Sequence, residues 1–167
     1  MNSFKTSYIF TKQEIQFLFR SISGVTPSCP ARYILSQYLS DSFSSQEAIE
    51  GLVYKKLARK SPGKIVLEPV VDLLARSALS SDTLWIVEFS EVSKPLLLLR
   101  SKDIDLRIQH YPYIPSTWKI TPYQSKDAFL TEFDELTVTC IIQISKDGTQ
   151  QLIAVDDIKS RIEDGEG

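Results

Sequence analysis

The residues that could do chemistry are few and far apart. His110 is the only histidine in the chain. A nucleophile–base device would have to use it, because imidazole is the side chain that titrates near neutral pH. Serines and aspartates are plentiful, but no Gly-x-Ser-x-Gly elbow accompanies it. We read His110 as a strand-end residue near the surface. Gly63-Lys64 has the ending of a phosphate loop, yet Ala58 stands where that motif needs its first glycine. Without that glycine the backbone amides cannot curl around phosphate. Asp103 with Asp105, and Asp156 with Asp157, are paired carboxylates. Nothing apolar beside them in sequence argues for a raised pKa, so they are read as solvated charge. Cys29 and Cys140 are far apart and form no Cys-x-x-Cys pair. A disulfide framework and a structural zinc site are not expected, and both are read as small buried side chains. No catalytic residue, no metal and no cofactor is expected; the reading is a protein that is not an enzyme.

One aromatic set stands apart. Tyr111, Tyr113 and Trp118 lie in "HYPYIPSTWK", a stretch with two prolines. Prolines stiffen a loop, and a stiff loop presents large side chains with little entropy to lose. Trp and Tyr are favoured anchors at protein interfaces. These three are the candidate partner-binding residues. The alternative is that they cap the core of a sheet.

The chain has 167 residues, 43% of them hydrophobic and 24% charged, with a net charge of −2. Those values fit a folded globular chain rather than a disordered one. The acidic balance weighs against nucleic acid as a partner, since phosphate binding rests on a basic excess. The start, "MNSFKTSYIF", lacks the apolar run of a secretory signal. The longest apolar stretch, Pro95 to Leu99, is far short of a membrane span. No membrane insertion is expected, and the cysteine usage suits the cytoplasm.

The elements that must hold these residues follow from period and punctuation. Thr11 and Glu14 have capping-box spacing before the stripe Ile15, Leu18, Phe19, Ile22. Pro30 suits the first turn of a second helix, with Ala31, Ile34, Leu35 and Tyr38 as its stripe. Ser44 and Glu47 open a third, carrying Ile49, Leu52, Val53 and Leu57 on one face. Lys55, Lys56, Arg59 and Lys60 load its last turns, which suits the negative end of the helix dipole. Gly51 inside it costs roughly 1 kcal/mol relative to alanine, which a close neighbour would explain. "SPGK" is a turn and "KIVLE" a short strand. Pro69 starts a fourth helix to Leu79, with Val70, Leu73, Leu74 and Ala78 as its buried face.

From Thr83 the period changes to two. "TLWIVEF" reads as a central strand, followed by "PLLLLRS". "IDLRIQHY" puts Ile104, Leu106 and Ile108 on one side and Asp105, Arg107 and Gln109 on a wet one. "TWKITPY" is a further strand and Ser125 to Leu136 a helix with Phe129, Phe133 and Leu136 in line. "TVTCIIQIS" and "QQLIAV" form a hairpin across Asp147-Gly148. Asp156 to Ile162 is a short last helix. Strand connections are too short for parallel crossovers. The predicted architecture is therefore one α+β domain over residues 1–167, with a mainly antiparallel sheet. Its helical part covers about 10–80, its sheet part about 83–155, and a frayed acidic tail 163–167.

Two functions fit. The segment "VYKKLARKSPGKIVLEP" could be the helix and wing of a winged-helix DNA-binding regulator, with Lys55, Lys56, Arg59, Lys60 and Lys64 on phosphates. A wing, however, is a hairpin, and only one short strand is legible there. Otherwise the segment is a packing joint, and the chain is a protein-binding adaptor whose sheet edges can accept a partner's segment.

The helical first half, "GLVYKKLARKSPGKIVLEPVVDLLARSA", then "DTLWIVEF" and the meander through "LLLLRSKDIDLRIQHY", resembles the ESX-secretion-associated proteins. These are the EspG-type chaperones of mycobacteria and the EsaE-type adaptors of other Gram-positive bacteria. The resemblance lies in the order and spacing of elements over about residues 10–135. It implies a cytosolic chaperone or adaptor for protein substrates of a type VII secretion system. The implied partners are a secreted effector or small helical-hairpin protein, and the secretion ATPase. It carries over no functional residue.

Overall fold

The computed structural model describes residues 7–39, 42–88, 94–138 and 140–164, with the Cys140 side chain outside that description. The chain opens on a strand, β1 (Tyr8–Thr11), which runs directly into α1 (Lys12–Ser21). The predicted capping box is present. The Thr11 hydroxyl accepts from Glu14 N–H at 3.2 Å, and Glu14 Oε1 accepts from Thr11 N–H at 2.8 Å. Next come α2 (Cys29–Tyr38), capped by Ser28 with Pro30 in its first turn, and α3 (Ser45–Tyr54), capped by Ser44.

α3 does not run on through the basic residues. Lys56 takes a left-handed conformation, with φ of 63°. Its N–H donates to Val53 C=O at 3.0 Å, while Leu57 N–H donates to Leu52 C=O at 2.8 Å. This is the Schellman pattern, which satisfies the helix-end carbonyls and turns the chain away. Arg59 and Lys60 therefore sit on a strand, not on the last turn of a helix. That strand, β2 (Ala58–Ser61), pairs with β3 (Lys64–Leu67) as a separate antiparallel ribbon. Gly63, with φ of 74°, makes the turn. The predicted single strand is thus one arm of a hairpin. α4 (Pro69–Leu79) follows.

The rest forms the sheet: β4 (Thr83–Val87), β5 (Leu96–Arg100), β6 (Leu106–His110), β7 (Thr117–Pro122), then α5 (Lys126–Asp134), β8 (Cys140–Ile144), β9 (Gln150–Ala154) and α6 (Val155–Glu163). Seven strands align as β1-β7-β6-β5-β4-β8-β9, every neighbouring pair antiparallel. The fold is α+β, as the change of period predicts.

Alternation in β4 and β5 sorts the core into two layers. Leu84, Ile86, Leu97 and Leu99 join Phe10, Ile15, Leu18, Ile34 and Leu74 beneath α1 to α4. Trp85, Val87, Leu96 and Leu98 face the other way, against Phe129, Phe133, Ile158 and Ile162 of α5 and α6. Each such fully buried side chain contributes about 1.5–3 kcal/mol of transfer free energy. The β4 side chains are buried on both faces, as a run without alternation requires.

Several predictions from periodicity fail here for tertiary reasons. On α4 the buried face is Val71, Leu74, Ala75 and Ala78, while Val70 and Leu73 are exposed. Small residues let the helix approach its neighbours closely, so its inner face is not its most hydrophobic one. The supposedly wet side of β6 is covered by α5: Arg107 Nη1 bonds both Glu132 carboxylate oxygens, at 2.9 and 3.0 Å. Asp105 is half-buried, and burial raises its pKa against the lowering effects of Arg100 and of Ser101 N–H. Cys29 is half-buried rather than buried, its sulfur 3.0 Å from Arg32 Nη2. Of the predicted frayed tail, Glu163 closes α6, and residues 165–167 lie outside the description.

Candidate partner-binding site

β6 and β7 are joined by Tyr111–Ser116, and the joint is tied at its base. Tyr111 N–H donates to Thr117 C=O at 2.9 Å, and the Thr117 hydroxyl donates to Ile114 C=O at 2.6 Å. Pro112 and Pro115 restrict the backbone between these bonds, and Ser116 adopts a left-handed turn with φ of 57°. The rings of Tyr111 and Tyr113 meet edge-on with centroids 5.2 Å apart. Tyr113 is 81% exposed and Ile114 is half-exposed. An apolar pair therefore projects into solvent from a loop with little freedom left to lose.

Trp118 belongs elsewhere. It is 5% exposed and part of the core beneath the first four helices. As one of three exposed anchors it is therefore corrected: β7 alternation turns its ring inward beside Ile120. Its role is to form part of the wall of an adjacent cleft. The ring packs edge-on against Tyr38 at 6.4 Å and His110 at 5.8 Å, and Tyr33 continues the series at 6.4 Å from Tyr38. The cleft holds about 650 Å³. Lys12, Lys94 and the two prolines of the loop also line it. Burial pushes the Tyr38 hydroxyl up to about 12, helped by Tyr33 and then Glu88, so it stays a neutral donor at any physiological pH.

The structure thus places Tyr111 and Tyr113 together and assigns Trp118 to the wall of the neighbouring cleft. Tyr38 and His110 complete that wall. Sequence reading took Tyr38 only as a core residue of α2, and His110 only as a surface residue. No local pattern links them; the edge-on series exists because α2 ends over the β6–β7 end of the sheet.

A second cleft of about 520 Å³ lies beside the β8–β9 turn. There Trp85 Nε1–H donates to Gln143 Oε1 at 2.8 Å, so these two side chains of its lining are engaged with each other. Among the described residues no group of three or more His, Cys, Asp or Glu side chains is placed to hold a metal ion. No described helix is long and apolar enough to cross a membrane.

These features define an α+β chain with an aromatic loop beside an aromatic-walled cleft at one end of an antiparallel sheet. No family model matches the chain, and no curated protein does.

Proposed function

We propose that this chain is a non-enzymatic adaptor that captures another protein at the β6–β7 end of its sheet. The observation that carries the reading is the exposed Tyr113 on a doubly tied, proline-stiffened loop. Tyrosine brings large contact area for two rotatable bonds, so little of its binding energy is lost to ordering. A partner helix lying across the loop would seat apolar residues at i, i+3 and i+4 on Tyr113 and Ile114, with its flank in the cleft. The finer reading makes the partner a substrate of a type VII, ESX-like secretion system, encountered in the cytoplasm. It draws on the resemblance in element order and spacing, and the secretion ATPase is its further candidate partner.

The test is co-expression with a small helical-hairpin secreted protein. Tyr113→Ala is expected to weaken capture by about thirty-fold, the effect of losing an anchor worth about 2 kcal/mol. The thermal melt should not move. Equal capture by the variant would remove the loop from the interface.

One observation favours a second reading. The β2–β3 ribbon follows α3 as a wing follows a recognition helix, and it exposes Arg59, Lys60 and Lys64. A winged-helix-like DNA-binding regulator would use it on phosphate. The exposed face of α3 instead carries Glu47 and Glu50, which repel a phosphate backbone. A duplex-DNA complex that survives physiological salt and is lost in a Lys60→Glu, Lys64→Glu variant would favour this reading over the adaptor.

A further inference from the structure

β9 ends the seven-stranded sheet, and among the described residues no strand pairs with its free side. Ser145 N–H donates to Thr149 C=O at 2.9 Å, which makes that pair hydrogen-bonded in the β8–β9 register. Antiparallel pairs alternate. Gln151 and Ile153 therefore direct their backbone groups to β8, while Gln150 and Leu152 direct both of theirs outward and Ala154 its N–H, its C=O being taken by the first turn of α6. No side chain or loop closes these outward groups among the described residues.

Exposed edges are ordinarily guarded by charge, proline or a bulge. β9, "QQLIA", has none of these. Leu152 at its centre is 72% exposed, opposite the half-buried Ile142. Gln150, Leu152 and Ala154 share the sheet face on which α1 to α4 sit, beyond the reach of those helices.

We propose that this edge pairs with the same edge of a second copy of the chain, antiparallel and centred on Leu152, joining two seven-stranded sheets into one. The strand is its own complement. With Leu152 opposite its symmetry mate, the Ala154 N–H of each copy meets the Gln150 C=O of the other on both sides of the axis. Leu152 then exchanges both main-chain bonds with its mate, and the two leucines cover each other. The strand ends also match in sign. Antiparallel pairing sets the β8–β9 turn of one copy beside the first turn of α6 in the other. The turn offers Lys146, which is mostly exposed and only 3.8 Å from Asp82 in a loose pair, while its Asp147 is bent back onto Thr149 N–H. The α6 turn offers Asp156 and Asp157. A neutral, self-complementary strand whose turn holds an exposed lysine toward the two aspartates of the mate's α6 fits its own copy better than an unrelated charged segment.

Analytical ultracentrifugation of the whole chain at rising concentration tests this. The expected result is a reversible shift from 18.9 kDa toward twice that mass. Leu152→Lys, which sets like charges directly opposite, should abolish the shift and leave the melt of the dilute monomer unchanged. A pair centred on Leu152 holds its two Cα atoms about 5.5 Å apart, within disulfide range. Leu152→Cys should therefore crosslink to a dimer under mild oxidation, while Gln151→Cys and the wild type should not. A monomer at every concentration overturns the proposal, as does a dimer that persists in Leu152→Lys. A dimer without the Leu152→Cys crosslink overturns the register. A monomer that takes up an extended foreign peptide, with loss in Leu152→Lys, would give the edge to another protein instead.

Discussion

At β1 two outward-facing backbone groups, Ile9 C=O and Thr11 N–H, both meet side chains. Lys55 Nζ donates to Ile9 C=O at 3.2 Å, Glu14 Oε1 accepts from Thr11 N–H at 2.8 Å, and the two side chains bond each other at 2.6 Å. At β9, on the opposite edge, the outward groups of Gln150 and Leu152 meet no side chain among the described residues. The first edge is closed by an ion pair whose carboxylate is only 1% exposed. The second has a bare leucine. One sheet thus carries a finished margin and an unfinished one. A charge costs free energy to desolvate, so a buried pair that seals an edge persists only where every partner is in place. The difference teaches that Lys55, which the sequence offered as a phosphate contact, is spent on the fold.

The seal also accounts for Gly51. A Cβ at that position would lie 2.0 Å from Glu14 Oε2. Glycine in the middle of α3 makes room for the carboxylate that closes β1, and the ion pair fixes that carboxylate so that it cannot swing aside.

The contrast can be broken from either side. Glu14→Ala should have the largest effect, a loss of about 2–4 kcal/mol by urea unfolding. It removes the capping box and the lysine's partner together, and it opens the edge. Gly51→Ala should follow, at about 1–3 kcal/mol, because the added methyl displaces a pinned carboxylate. A loss no larger than the scatter for surface changes would show that Glu14 relaxes freely and that the seal is soft. Lys56→Gly should act in the opposite direction. It relieves a left-handed lysine at the end of α3 and should add about 0.5–1 kcal/mol, raising the melting midpoint. Leu152→Ala should be the smallest, within about 0.5 kcal/mol when measured on dilute monomer, since nothing in one copy rests on that side chain. A large destabilisation there would mean that β9 is not a free edge.

Much of the architecture was legible one element at a time. The capping box of Thr11 and Glu14, the start of α4 at Pro69 and the Asp147-Gly148 turn are local, decided by groups within a few residues of each other. β1 was not legible, because "YIFT" has no alternation or turn to mark it; it is a strand because β7 pairs with it. β2 was hidden for a similar reason. "ARKS" carries the charges of a helix end, and the left-handed Lys56 that separates it from α3 is a residue type with no intrinsic preference for that conformation. Among the candidate anchors, the exposed loop of Tyr111 and Tyr113 follows from its prolines. Trp118 was misplaced because alternation says which residues share a side of a strand but not which side is covered.

By itself the sequence determined the α+β class, the helix starts, the interior position of β4 and the stiff aromatic loop, all consequences of short-range sterics and period. Only the tertiary structure decided that Lys55 and Glu14 seal one edge and that α5 half-buries the wet side of β6 through the Arg107–Glu132 ion pair. It alone brings Tyr38, His110 and Trp118 together in one wall and leaves Leu152 exposed. Each of these depends on which surfaces meet across long stretches of chain, and burial, charge pairing and edge closure have no meaning until those surfaces are in contact.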